Sequence, residues 1–466
     1  MRLDFTDFLY AMSFALDAIE HEFTGATAEH GKRVAWLSMK MAEGMGLSEE
    51  QLVDFIGCAV LHDNAVIEYL QEEKKRQIVS AGSRDGDDTG ISYLAGHAII
   101  GERNAALLPF RTGVKNVILW HHENADGSGA LGLRQDQTDF RSEFIHVADA
   151  VDILYDLKNA EPAGFEEIRK FVAGEAGHLF SDRAAAQFQK IAFEDILDLQ
   201  AKGPEVLLKE RLPAIWHDYS DEEIKAIAEF FAKIVDYKSP FTTAHSLGVA
   251  GKAKTMAEYY GWDADKTIRY YLAGAMHDIG KVVIGNEILE KPGKLNQWEY
   301  SVMKDHARAS LQILGDIEGF EDITEWAANH HEKLDGSGYS RGLDASQLSF
   351  EERLMACIDI YQALTEDRPY KSGMSHAKTI AIMNSMVEEG KIDGAITMDI
   401  DTVFGNRNGG GQYVFDTASK KWKCKVCGYI SEGELSPDQC PVCHSDSGNF
   451  TEMCKKCKRN TDEKTF

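Results

Sequence analysis

The sequence predicts an all-α protein, two tandem helical bundles followed by a small β-hairpin knuckle. Three observations carry that expectation. Apolar residues recur three and four apart, as in VAGKAKTMAEYYGW and TIRYYLAGAMHDIG, and few stretches alternate with period two before residue 410. A series of histidines and aspartates occurs twice in the same order. Six of the eight cysteines fall after position 420, as three C-x-x-C pairs.

The chain divides accordingly into residues 1–205, a first bundle; 206–400, a second; 401–412, a glycine-rich linker; and 413–466, a cysteine-bearing tail. A connector around 200–220 contains Gly203, Pro204 and Pro213, and Gly261 and Gly280 are placed to stop helices. In the tail, YVFDTASKKWKCKVCGYI reads as a hairpin leading into the knuckle. The N-terminus carries Asp4, Asp7, Asp17, Glu20 and Glu22 among its apolar residues, so it lacks the basic region and apolar run of a signal peptide. A cytoplasmic protein without membrane partners is expected. Fifty basic residues stand against 76 acidic ones, a formal charge of −26 that repels polymeric nucleic acid and anionic membrane. Any phosphate-bearing substrate must then be met by local cations or metal.

The duplication is sharp. TAEHGKRVAWLSMKMAEGMGL (27–47) matches TTAHSLGVAGKAKTMAEYYGW (242–262), Leu61-His62-Asp63 matches Met276-His277-Asp278, and HHENADGSGA (121–130) matches HHEKLDGSGY (330–339). His30, His62, His97, His121, His122 and Asp149 thus recur as His245, His277, His306, His330, His331 and Asp359. A lone histidine on an apolar helix is usually a hydrogen-bonded core residue. Five histidines and two aspartates repeated in order across four helical segments are another matter, because burying so many polar groups unpaired would cost several kcal/mol. Imidazoles and carboxylates are the ligand set for iron, manganese or zinc, and one aspartate can hold two metals through its two oxygens. Two metals about 3.5–4 Å apart suit phosphodiester hydrolysis, since both neutralise the charge that develops at phosphorus.

On these residues the second copy resembles the HD-GYP domains, the branch of the HD phosphohydrolases that degrades cyclic dinucleotides. The resemblance covers roughly residues 220–395 and rests on SPFTTAHS around His245, HDIGK at 277–281, KPGKLNQWEYSVMKDHA at 291–307, HHEKLDGSGY and IDIYQALTEDRPYK at 358–371. It implies two divalent metals, iron or manganese, held by His245, His277, Asp278, His306, His330, His331 and Asp359, with Asp278 bridging. It also implies that Lys281 faces the scissile phosphate or the nucleophile, and that Tyr339, Arg368 and Lys371 hold substrate. An ammonium can stabilise a developing oxyanion, and a guanidinium fork suits phosphate. Three departures stand out. Gly338-Tyr339-Ser340 replaces the name-giving Gly-Tyr-Pro, Gln362 replaces the usual aspartate, and Phe241 stands where some relatives carry a carboxylate for a third metal.

The first copy keeps the series His30, His62, Asp63, His97, His121, His122 and Asp149 but lacks the groups that handle substrate. Val66 stands where Lys281 stands in the second copy, Ala130 replaces Tyr339, and ILYDLKNAEP follows Asp149 with nothing like DRPYK. Two readings stay open: a metal-bound regulatory half, or a degenerate half that only packs. In the tail, Cys424-x-x-Cys427 and Cys440-x-x-Cys443 supply four thiolates for one tetrahedral iron or zinc. WKCKVCGYISEGE with CPVCHSDSGNF resembles the rubredoxin-like domain at the end of rubrerythrins. Cys454 and Cys457 are left over, open to ligation across a homodimer, to a redox pair, or to plain exposure. His444 reads as a surface residue.

The expected function is metal-dependent hydrolysis of a cyclic dinucleotide, cyclic di-GMP or a relative such as cyclic GMP-AMP, to linear dinucleotide or mononucleotide. The alternative from another class is a cyclic dinucleotide receptor or redox-sensing signalling protein with little or no turnover, in which the tail would meet a redox partner. Lys281 and the DRPYK run discriminate, because a receptor has no need of a group aimed at the reacting phosphate.

Overall fold

The computed structural model describes residues 1–24, 28–70, 93–238, 243–291, 293–367 and 372–405, and in the tail the strands Lys421–Cys424, Ile430–Glu432 and Phe450–Glu452. The chain forms two compact units, Met1–Gly405 and Asn406–Phe466. Among its described residues the first is helical, apart from one short strand pair, as the periodicity predicts. None of its described helices is long and apolar enough to cross a membrane.

The repeat in the sequence is a repeat in the fold, down to the helix caps. Glu49–Val60 starts on Ser48, whose hydroxyl accepts from the Gln51 amide, and its counterpart Ala264–Met276 starts on Asp263, which accepts from Lys266. Phe140–Leu154 is capped by Asp139 and Phe350–Thr365 by Ser349. A side-chain oxygen satisfying an orphan amide fixes where each helix begins and hence which residue faces the interior. Each half contributes the same set: His30–Ala42 or Thr243–Tyr259 with the first histidine, a second helix running into the His-Asp pair, Tyr93–Ala105 or Gln297–Gly315 with the third histidine, a turn with the double histidine, and the helix bearing the last aspartate.

Three details depart from the sequence expectations. The connector is structured: helices Phe193–Lys202 and Pro204–Arg211 lead to the strand Trp216–Asp218. That strand pairs antiparallel with Arg2–Asp4 at the chain's start, Leu3 opposite His217. Residues 401–405 are not linker but the end of the helix Gly394–Gly405, which packs on His376–Glu388. Gly261 does end its helix, with φ +69°, a conformation glycine adopts without penalty. Gly280, in contrast, lies inside a 3-10 turn, Ile279–Val283, and is needed there for space. A Cβ on it would sit 2.0 Å from the carbonyl oxygen of His306 and 2.5 Å from the amide of Ser310.

One hydrophobic core runs through both halves. The N-terminal helix Phe5–Thr24 belongs by sequence to the first half, yet it packs against Ile279–Val283 and Asp221–Lys238 of the second, with the rings of Phe8 and Phe231 edge to face at 4.5 Å. The chain's start therefore buttresses the turn that carries Lys281. In the tail, Lys421–Cys424 pairs antiparallel with both Ile430–Glu432 and Phe450–Glu452, a three-stranded sheet around the predicted hairpin. Cys424 ends the first of these strands; Cys427, Cys440, Cys443, His444, Cys454 and Cys457 lie outside the described residues.

Candidate metal centre and active site

Seven predicted side chains of the second half converge. His245, His277 and Asp359 form one group and Asp278, His306, His330 and His331 an adjoining one, the potential ligand atoms of each lying within 4.8 Å of one another. All are buried or nearly so. The Nδ1 atoms of His277, His306 and His330 contact the carbonyl oxygens of Gly274, Met303 and Ala327, three residues back, at 2.8, 2.6 and 2.6 Å. A carbonyl only accepts, so each Nδ1 carries the proton and each Nε2 is left as a lone pair turned to the centre. These three Nε2 atoms and Oδ1 of Asp278 are buried without a hydrogen-bond partner. Lone pairs left bare in a water-poor interior carry a desolvation penalty that a bound cation would remove.

Asp278 spans the two groups. Its Oδ1 faces His306 at 3.5 Å and His330 at 3.8 Å, while its Oδ2 faces His277 at 3.1 Å. Burial would raise its pKa, but His277 and the Lys281 ammonium outweigh burial and hold it well below the usual carboxylate range. Burial pushes His331 down to about 3, with its neighbour His306 adding to the effect, so that ring is neutral. Asp278 with the rings of His306, His330 and His331 thus offers an anionic oxygen and imidazole nitrogens, which suits divalent iron, manganese or zinc.

Behind the donors lies a second set of contacts that sequence reasoning only half foresaw. His245 faces Asp359 through Nε2 at 3.0 Å and Glu366 through Nδ1, also at 3.0 Å. Burial lowers the His245 pKa, yet these two carboxylates overcome it and bring the ring up to about 9. Gln362 donates to the same Glu366 oxygen at 2.9 Å and accepts from the partly buried ammonium of Lys252. Carboxylate support of this kind fixes the ring's orientation. The carboxylate expected at 362 is therefore supplied one helical turn later, at 366. Its signal was present in the sequence as an acid four residues on, the spacing that puts two side chains on one face.

In the first half Asp152 occupies the place of Gln362 and itself receives His30 Nδ1 at 2.7 Å, with Arg33 bound to it through Nε and NH2 at 2.6 and 2.8 Å. Arg33 stands where the second half has Gly248, whose missing side chain leaves room for Gln362. Glu123 and Glu332 play one structural part in both halves. Each accepts backbone amides of the loop after the double histidine, Leu131 and Leu133 in one case, Arg341, Gly342 and Leu343 in the other.

The residues expected on the substrate side lie in the second half. Lys281 Nζ pairs with Asp278 Oδ2 and remains partly exposed. The Tyr339 ring packs on His331, centroids 4.6 Å apart, with Tyr300 at 6.4 Å and the Lys304 ammonium above both tyrosines. Tyr300 and Lys304 escaped the sequence reading because aromatic and basic residues on an amphipathic helix look like an ordinary solvated face. Arg368 and Lys371 lie outside the described residues. In the first half Val66 is buried and carries no charge toward Asp63.

Gly280 is the joint between this turn and the helix of His306. Its amide donates to the Ser310 hydroxyl, which donates on to the His277 carbonyl, both at 2.9 Å. Gly280→Ala must push the two backbones apart, so a loss of about 1–3 kcal/mol or more is expected. Denaturant melts compared with wild type check it, and an unchanged midpoint would show the turn to be loose.

A duplicated helical bundle with a histidine-aspartate centre in each copy defines a tandem HD-domain protein. Family models agree: HD domain matches residues 229–396, HD domain matches again over 27–154, and the rubrerythrin, rubredoxin-like domain matches 422–451. The 3'3'-cGAMP-specific phosphodiesterase 1 of Vibrio cholerae is 31% identical over 380 residues, 79% of this chain and 85% of that protein. The 3'3'-cGAMP-specific phosphodiesterase 3 of the same organism is 41% identical over 164 residues, 35% of each chain. The cyclic di-GMP phosphodiesterase response regulator RpfG of Xanthomonas campestris is 32% identical over 178 residues, 38% of this chain and 47% of that one. A crystal structure of a Vibrio cholerae cyclic GMP-AMP-specific phosphodiesterase, V-cGAP3, shares the fold with a TM-score of 0.61 at 23% identity, covering 88% of this chain and 99% of that one. The chain belongs to the HD-GYP-type family of cyclic dinucleotide phosphodiesterases.

Proposed function

We propose that residues 206–400 hydrolyse a cyclic dinucleotide, cyclic GMP-AMP or cyclic di-GMP, to a linear dinucleotide or onward to mononucleotide, and that residues 1–205 do not turn it over. The observation that carries this reading is the Lys281–Asp278 pair at the edge of a cluster of buried, unpartnered donors. A relative of which this chain covers 85% is named for cyclic GMP-AMP, which favours that substrate.

His245, His277, Asp278, His306, His330, His331 and Asp359 would hold two divalent metals. When bound, these supply Lewis acidity toward a phosphodiester oxygen and charge neutralisation around phosphorus. The chain's own residues do the rest. Glu366 and Asp359 orient His245, and the backbone carbonyls of Gly274, Met303 and Ala327 keep the other rings in the tautomer that presents Nε2. The Lys281 ammonium, partly exposed beside Asp278, would meet a phosphoryl oxygen placed there. Tyr339 forms a wall of the site against His331, and Arg368 and Lys371 would take the substrate's phosphates.

The four cysteines Cys424, Cys427, Cys440 and Cys443 would hold one iron or zinc, since so small a segment has little core of its own to fold without metal. Iron would allow one-electron exchange with a redox partner; zinc would make the tail a structural module.

The test is product analysis by anaerobically purified protein on cyclic GMP-AMP and cyclic di-GMP. Linear dinucleotide from cyclic GMP-AMP at the higher kcat/KM is expected. Tight binding of either compound without any hydrolysis would replace the enzyme with a receptor.

A further inference from the structure

We infer that the first half carries its own metal centre, built from His30, His62, Asp63, His97, His121, His122 and Asp149, and that it holds divalent metal more tightly than the hydrolytic centre does. The donor geometry is similar, with His97 Nε2 in addition 3.0 Å from His122 Nε2 and 3.4 Å from His121 Nε2. Asp63 Oδ1 faces His97 at 3.2 Å and His121 at 3.6 Å, and its Oδ2 faces His62 at 3.5 Å, the same division between two groups that Asp278 shows. His30 meets Asp149 at 3.3 Å, where His245 meets Asp359 at 3.0 Å. The ring centroids of His30 and His62 are 5.3 Å apart at 58°, as are those of His245 and His277. His62 and His121 contact the carbonyl oxygens of Ala59 and Ile118 through Nδ1, so their Nε2 atoms are lone pairs turned inward. Nε2 of His62, Oδ1 of Asp63 and Oδ1 of Asp149 are buried without a hydrogen-bond partner.

The two centres differ in where their cations stand. In the second half an ammonium pairs directly with a metal-facing carboxylate, Lys281 on Asp278. In the first half no described lysine or arginine pairs with Asp63 or Asp149. Its cation, Arg33, is spent on Asp152, on the far side of the His30 ring. A fixed positive charge a few ångström from a dication repels it strongly in a partly buried site. The second half accepts that repulsion for a group that can meet a phosphate, whereas among the described residues of the first half Val66 stands at that position and adds none. A non-hydrolytic centre that keeps its metal is suited to stabilising or sensing, not to turnover.

This rests on the proposed donor assignment but not on hydrolysis, and manganese separates the two. Imidazole and carboxylate take Mn²⁺ readily while thiolates select softer ions, so manganese counts the two HD centres and not the tail. Full-length protein is stripped, reloaded with Mn²⁺, desalted, and its loss of Mn²⁺ to excess chelator is followed. Two phases are expected. Asp63→Asn and H62A/D63A should each remove the slow phase, and H277A/D278A the fast one. Val66→Lys, which places an ammonium where Lys281 stands, should speed the slow phase on the order of tenfold or more. A slow phase that survives in folded Asp63→Asn protein, or is removed by the second-half variant, overturns the inference. Protein that keeps the slow phase yet hydrolyses nothing would sink the proposed function and leave this inference standing.

Discussion

Replacing His277 and Asp278 together with alanine should abolish hydrolysis, a loss of at least ~10³-fold, while the same change at His62 and Asp63 should leave a substantial rate. His62 is as buried as His277, and the Asp63 side chain is 17% exposed where that of Asp278 is 3% exposed, yet both aspartates face their histidines in the same way, so a difference in rate between the pairs points beyond the donors themselves. It must come from what lies on the open side of each centre. Around Asp278 that is Lys281, with Tyr339, Tyr300 and Lys304 nearby. Around Asp63 the position of Lys281 is filled by Val66, and the tyrosine is replaced by Ala130. The measurement is the initial rate of both variants on cyclic GMP-AMP, taken beside a thermal melt, because the halves share one core and damage to one can spread. Equal loss from both pairs in folded protein would mean that the chain uses both centres for catalysis.

The convergence of these histidines and aspartates was legible because a repeat shows the same side chains twice. Single histidines carry almost no signal, but an ordered series recurring at nearly constant offset marks the same side chains in two independent stretches. The helices were legible for the related reason that their caps repeat, Ser48 with Asp263 and Asp139 with Ser349. What lay beyond the sequence was contact between distant segments. Pairing of Arg2–Asp4 with Trp216–Asp218 has no periodic signature in strands three residues long. Packing of the N-terminal helix under the Lys281 turn depends on tertiary fit, and so does the tight approach of Gly280 to the helix of His306. Gly280 looked like a helix stop because the residue type is common to both roles; only the neighbouring backbone tells them apart. Glu366 carries no signal of its own at position 362, where the acid is absent, although a helix offers the same face again four residues later.

Lys281→Ala should lower kcat by roughly 10²–10³, the scale expected for removal of one charge that stabilises the transition state, and should leave bound metal undiminished. The side chain is placed for this. Its ammonium pairs with Asp278 and the side chain is partly exposed, so a phosphoryl oxygen placed beside Asp278 would find the charge already there. Its loss has a second consequence of opposite sign. Without the ammonium, Asp278 offers its full negative charge to the metals, so metal should be released more slowly from the variant than from wild type. Rate and retention should therefore move apart: a slower enzyme that grips its metal harder. Substrate binding gives a further check, since a group acting chiefly in the transition state changes kcat more than KM. A variant that is slow because it has lost metal would show that Lys281 organises the centre, and would remove it from the chemistry.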